Sequence, residues 1–187
     1  FVETDSVFES QWGIPAPIVD ENGNVTNYNE IESKFIEKCK EAYPNATDKD
    51  LTSQNNAVNQ FISYHLLPER ITWNKLVVHK NELGYSWNNP TKLTIDCWEY
   101  YETMGKPRRL LKLTEGSQTN GIRLNRHCTY DNSFFGTYDE IAVDRPGALV
   151  TQLNGGSSTN ALNGFYYPID EVLVYDKDVP GKVINER

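Results

Sequence analysis

The chain has 187 residues, 24% of them charged and 38% hydrophobic, a composition that suits one domain with a real core and excludes a disordered chain. Its net charge of −8 argues against a nucleic-acid backbone as the main partner. No apolar run approaches the roughly 20 residues that a bilayer span needs, so no membrane span is expected.

The first residues, Phe1-Val-Glu-Thr-Asp5, carry no initiator Met, no basic start and no apolar signal stretch, so the chain reads as a fragment or a mature piece. Thr4-Asp5-Ser6 is a helix start, with a capping hydroxyl, acid in the first turn, and Val7 and Phe8 following on one face. Residues 17–26 bracket Asn22-Gly23, the strongest short hairpin signal, and a type I′ turn there needs two positive φ angles. Asn29 is placed to cap a helix whose stripe is Ile31, Phe35, Ile36, Cys39 and Tyr43, ended by Pro44 and Asn45. A further helix is predicted from about Thr52 through Ala57, Val58, Phe61, Ile62 and Leu66, closed by Pro68.

After Pro68 the texture changes. Segments near 71–78, 91–98, 108–113, 121–128, 147–153 and 165–174 are β-branched and aromatic, separated by Gly, Asn, Pro and Ser, the pattern of an antiparallel β region. Helices first and strands later give an α+β class. The basic spots Lys106/Arg108/Arg109/Lys112 and Arg123/Arg126 alternate with apolar residues at strand spacing and read as solvated strand faces. Of the three cysteines, Cys39, Cys97 and Cys128, an odd count excludes complete pairing within one chain. Three buried thiols are the expectation, with Cys97–Cys128 the pair for one bridge because both fall in strand-like segments.

Motifs for catalysis are sparse. Asp20-Glu-Asn-Gly-Asn24 has its glycine at the wrong position for a calcium loop, and His127-Cys128 lacks the second ligand pair of a metal site. Gly155-Gly-Ser-Ser-Thr159 lacks the spacing of a nucleophile elbow, and no phosphate-cradling glycine loop is present. The acidic pairs Asp139/Glu140 and Asp170/Glu171 read as solvated strand ends or loops. One alternative is a carbohydrate-active enzyme using two carboxylates among Asp96, Glu99, Asp139, Asp170 and Glu171, and another is an intracellular interaction domain whose three cysteines are reduced. Eleven Tyr, four Trp and seven Phe are many for this length and point toward a binding module, because such rings stack on sugars or anchor partners.

Three ordered stretches resemble the signatures of the fasciclin (FAS1) domain family. Phe1-Val-Glu-Thr-Asp-Ser-Val-Phe8 is similar to the family's F-A-P-T-[DN]-x-A-F, with Phe1, Thr4, Asp5 and Phe8 matching while Val2 and Glu3 replace a small residue and a proline. Tyr64-His65, followed by Leu66-Leu67-Pro68, resembles its Tyr-His motif at a helix end. Asn163-Gly-Phe-Tyr-Tyr-Pro-Ile-Asp-Glu-Val-Leu173 resembles its closing N-G-x-[IV]-H-x-I-D-x-[VL]-L. Asn163, Gly164, Ile169, Asp170, Val172 and Leu173 match there, and Tyr167 replaces the histidine.

The resemblance implies a twisted β-sandwich with helices packed on it. It places a fasciclin-like domain at 1–178, N-terminally truncated, with insertions around 11–55 and 79–160 and a connection beginning at 179–187. It also implies a non-catalytic adhesion or binding module, extracellular or at the cell surface, most like the fasciclin-like domains of exported bacterial lipoproteins. Its partners would be a cell-surface or matrix protein or a polysaccharide, beside a second fasciclin-like domain in the same parent, with no cofactor and no metal. Tyr64 and His65 carry the family's binding motif, and the residues read it as a joint: a His at a helix end meets the last carbonyls, and no Ser, Cys or Asp adjoins it as a catalytic partner.

Three structural expectations follow. His65 is buried and hydrogen-bonded. Asn163-Gly164 turns the chain into the last strand, with Gly164 at positive φ or closely packed. A core lacking its first helices exposes apolar surface, for which the 17–26 hairpin and the Ile31–Tyr43 helix are the local cover.

Overall fold

A computed structural model describes residues 1–76, 97–115, 121–134, 137–151, 159–161, 163–175 and 177–178 of the chain. Among the described residues it is a mixed α+β fold with three α-helices, a small antiparallel sheet and one parallel strand pair.

Strand β1 (Val2–Glu3) leads into α1 (Asp5–Trp12). Thr4 stands at the cap position with extended backbone angles, but its hydroxyl meets the Ser6 hydroxyl (2.8 Å) rather than capping the helix. Helix α1 stops at Gly13, whose φ of 66° is the left-handed exit that glycine allows without a Cβ clash.

The 17–26 segment does form a hairpin around a Val19–Val25 bridge, with a different turn from the one expected. Gly23 alone has positive φ, and its N–H donates to the Asp20 carbonyl, so a type I-like turn ends in a single left-handed glycine. The Asp20 carboxylate decides this by accepting from the N–H groups of Asn22 and Asn24 at 2.8 and 2.9 Å. These bonds hold the Asp20 carboxyl below the usual carboxylate range, the Asn24 N–H contributing most. Ile18, Val19 and Val25 stay exposed, so the hairpin does not act as a cover for the core.

Helix α2 (Tyr28–Ala42) begins one residue ahead of the expected Asn29 cap, because Asn27 occupies the cap position and ties its side chain to Ile18 and Ala16. Its stripe turns Phe35 and Cys39 against α1 and α3 (Ala57–Tyr64). Helix α3 is shorter than predicted. Asp50 captures both the N–H and the hydroxyl of Thr52, holding that region as a turn, and Asn56 caps the helix by accepting from Val58 and Asn59. The three helices enclose one aromatic cluster, in which Phe61 lies 5.0 Å from Trp12 and 5.4 Å from Phe35 between ring centroids.

After α3 the chain makes a 3-10 turn at Trp73–Lys75 where a strand was predicted. Trp73 and Leu76, three apart, both face the core, and Tyr101 donates to the Lys75 and Leu76 carbonyls at 3.1 and 2.8 Å. Strands β2 (Cys97–Glu102), β3 (Leu110–Glu115), β4 (Ile122–Leu124) and β7 (Ala148–Leu149) form the antiparallel sheet in that order.

Strands β5 (His127–Phe134) and β6 (Thr137–Arg145) pair separately with register shifts, and β8 (Thr159–Ala161) pairs with β9 (Gly164–Tyr166). Strand β10 (Pro168–Ile169) lies parallel to β1, and a Val150–Ile169 bridge ties this pair to the main sheet. The predicted segments 91–96 and 152–153 lie outside the described residues, as do 155–158 of the glycine-serine stretch.

The sheet's core is Leu76, Leu111, Leu113, Ile122, Leu124, Val150 and Ile169, packed with Tyr64 and Leu173. Two basic residues correct the solvated-face expectation: Lys112 and Arg126 are buried. Arg109 is half-buried, its guanidinium over the rings of Tyr43 and Tyr175 at 5.0 and 4.6 Å. Arg108 and Lys106 are exposed. Cys39 is a free, buried thiol, and the side chains of Cys97 and Cys128 lie outside the described ones.

Candidate functional site

Three sequence-distant stretches meet at the end of α3. Strand β1 pairs Val2 with Pro168 and Glu3 with Ile169, which sets Phe1 beside Tyr167 with ring centroids 5.9 Å apart. The Phe1 nitrogen donates to the His65 carbonyl at 2.8 Å. His65, the last residue of the α3 turn, is buried and has an acceptor at each ring nitrogen: the Phe61 carbonyl at Nδ1 and the Glu3 carboxylate at Nε2, both at 2.7 Å.

The Glu3 side chain is only 4% exposed, and its Oε1 also accepts the Leu173 N–H at 2.9 Å. One proton is shared along the Nε2–Oε1 line whichever atom carries it. The pair fastens α3, β1 and the segment after β10 to one point.

Tyr64 points the other way, into the sheet. Its hydroxyl donates to the Leu110 carbonyl at 3.0 Å and receives the Asn125 amide at 3.0 Å. Tyr167, standing where the resemblance has histidine, is buried and donates to the Ile71 carbonyl at 2.6 Å. Asp170 is exposed, yet its carboxylate accepts the Leu149 N–H at 2.6 Å and so joins β10 to β7. Ile169 is core, Phe8 packs in the helical cluster, and Asp5 and Pro68 are exposed.

Gly164 corrects an expectation. It has no positive φ, and a Cβ built there meets nothing within 4 Å. The strained glycine is Gly147, with φ +74° and a Cβ position 2.3 Å from the Leu124 carbonyl oxygen. Sequence reasoning passed over it because Gly147 sits in an ordinary Pro-Gly loop signal, and the close approach of β4 is visible only in three dimensions.

Glu3 was likewise passed over as a site residue. The signal that marks it is its position, an acidic residue replacing the proline of the first fasciclin-like motif.

Beside this joint lies a cavity of about 270 Å³, lined by Phe1, residues 65–71, Leu76, Asn163–Phe165 and Tyr167. Its apolar wall includes Leu67, Ile71, Leu76 and Tyr167, and Glu69, Arg70 and Asn163 stand exposed at its rim. The Arg70 guanidinium rests over the Phe165 ring at 4.7 Å.

Of the carboxylates proposed for an enzyme, the described side chains of Glu99, Asp170 and Glu171 do not line this cavity. Glu99 is in β2, Asp170 is engaged by Leu149, and Glu171 is exposed, while Asp96 and the side chains of Asp139 and Glu140 lie outside the described set. Among the described residues, no three His, Cys, Asp or Glu side chains are grouped to hold a metal ion, and no helix is long and apolar enough to cross a membrane.

Two buried groups of the helical cluster, Cys39 and Tyr43, are shifted by their surroundings. Burial pushes the Cys39 thiol up to about 12, with the Glu3 charge adding to the effect. Burial likewise pushes the Tyr43 hydroxyl up to about 12, with the Tyr175 N–H and the Arg109 cation opposing it.

Comparison with protein-family models, with curated proteins and with solved structures gives no match to this chain.

Proposed function

We propose that the chain is a fasciclin-like, non-catalytic binding or adhesion module displayed at a cell surface. The observation that supports it is the meeting in space of the three stretches that resemble the family's motifs. Val2-Glu3 pairs with Pro168-Ile169, Glu3 holds His65 and Leu173, and Phe1, His65–Pro68, Asn163–Phe165 and Tyr167 border one cavity.

On this reading residues 1–178 are the domain, a twisted β-sandwich with helices packed on it, and 11–55 and 79–160 are its insertions. Tyr64-His65 is the joint that fixes the fold beside the binding surface. The ligand is a cell-surface or matrix protein or a polysaccharide, bound without a cofactor.

A glycan array and a matrix-protein binding panel, run beside a panel of glycosidase substrates, test the function. Saturable binding without product is the expected result, and hydrolytic turnover of any glycoside sinks the reading in favour of the carboxylate enzyme.

A further inference from the structure

The cavity beside His65 combines the apolar side chains of Leu67, Ile71, Leu76 and Tyr167 with the polar side chains of Glu69, Arg70 and Asn163, the mixture that small-ligand sites use. Glu69, Arg70 and Asn163 make no side-chain hydrogen bond or ion pair with another described residue, and the contact of the Arg70 guanidinium is the face of Phe165. Elsewhere around the joint every polar group is spoken for: Glu3, His65, Tyr167 and Asp170 each hold a specific backbone partner.

The Arg70 guanidinium lies 4.7 Å from the Phe165 ring centroid and is exposed, and a guanidinium can meet a carboxylate two bonds at a time. Below it, about 270 Å³ of space walled by Leu67, Ile71, Leu76 and Tyr167 admits one medium-sized apolar side chain.

We infer that this cavity binds the C-terminal residue of a partner protein or peptide, its carboxylate on Arg70 and its apolar side chain in the cavity. Asn163 offers an amide at the same rim for the peptide unit, and Glu69 beside Arg70 disfavours a second anion. The net charge of −8 acts in the same direction. It repels polyanionic glycans and favours a partner with basic residues upstream of its terminus. A neutral glycan has no charge for Arg70 to meet. The inference rests on the binding-module reading and narrows its ligand to a protein end.

The test is calorimetric titration of the whole chain with Lys-Lys-Gly-Leu carrying a free carboxylate, its C-terminally amidated form, and a set of neutral oligosaccharides. The free acid is expected to bind at least about ten-fold more tightly than the amide, a difference of about 1.4 kcal/mol. Arg70→Gln removes that preference while melting like the parent, since Arg70 is exposed. Gly164→Leu is a second variant that does not rely on charge: Gly164 lines the cavity, has no positive φ and has open space around an added Cβ. A side chain there is expected to cut free-acid binding at unchanged stability.

Equal binding of acid and amide, absence of peptide binding, or an Arg70→Gln variant that keeps the preference overturns the inference. Oligosaccharide binding without peptide binding also overturns it and leaves the adhesion reading standing, whereas glycoside turnover removes that broader reading.

Discussion

The two sides of the α3 end make different use of polar side chains. On the joint side, Glu3, His65 and the Leu173 N–H close on one another in a dry environment, every bond 2.9 Å or shorter. On the cavity side, a few residues farther along the same segment, Glu69, Arg70 and Asn163 stay exposed and engage no polar partner among the described residues. Burial sets the difference, because a polar group withdrawn from water must be paired or it destabilises the fold, while one left at a rim can stay available to something else. The joint is therefore where substitutions are expected to cost stability, and the rim is where they are expected to cost binding alone.

The largest effect is expected at the joint's acid. Glu3→Ala leaves His65 Nε2 and the Leu173 N–H buried without their acceptor, and about 3–5 kcal/mol of stability is expected to go. Urea unfolding followed by far-ultraviolet dichroism measures it. A loss under 1 kcal/mol would mean that the pair is not a fastening.

His65→Ala is expected to lose less, about 1–3 kcal/mol, since Glu3 keeps the Leu173 N–H and the adjoining cavity lets water reach the space left behind. Its ligand binding is expected to fall only as far as its folded fraction does. A variant that melts like the parent and loses its ligand makes His65 a contact residue instead.

The glycines sharpen the contrast. Gly147→Ala places a Cβ against the Leu124 carbonyl at positive φ, and a loss of about 1–3 kcal/mol is expected. Gly164→Ala enters open space and should stay within about 0.5 kcal/mol of the parent. Thermal melts of the two variants side by side decide it, and a reversed order would place the close backbone approach at the cavity rather than at β4.

Tyr167→Phe removes one buried hydrogen bond to Ile71 and keeps the ring, so about 1 kcal/mol is expected to be lost. The smallest change is in reactivity. With its thiol pushed up to about 12, Cys39 is expected to resist iodoacetamide at pH 8 in the folded protein and to react once urea unfolds it. Alkylation followed by intact mass reads this out, and rapid native labelling of Cys39 would mean that the helical cluster opens readily.

Local pattern was enough to locate much of the secondary structure. The stripe from Ile31 to Tyr43, the Pro44 stop, the Asn22-Gly23 hairpin and the strands through 110–113 and 122–124 are all readable from spacing, because amphipathic period and turn residues act within a few residues of themselves. Where the reading failed, a side chain had taken over the backbone. Asp20 chose the turn type, Asp50 kept Thr52 out of α3, and Tyr101 satisfied the carbonyls of a turn at 73–75 that β-propensity marked as strand.

Lys112 and Arg126 failed for a different reason, since strand alternation tells which residues share a face and not which face is covered. The sequence by itself determined the α+β order, the helix stripes and the presence of a histidine at a helix end. Only the tertiary structure decided that Glu3 meets His65 across 62 residues, that Gly147 rather than Gly164 is the constrained glycine, and that Arg70 and Asn163 border one cavity. Those outcomes depend on which surfaces are pressed together and dried, and contact between distant segments is set by the packing of the whole chain.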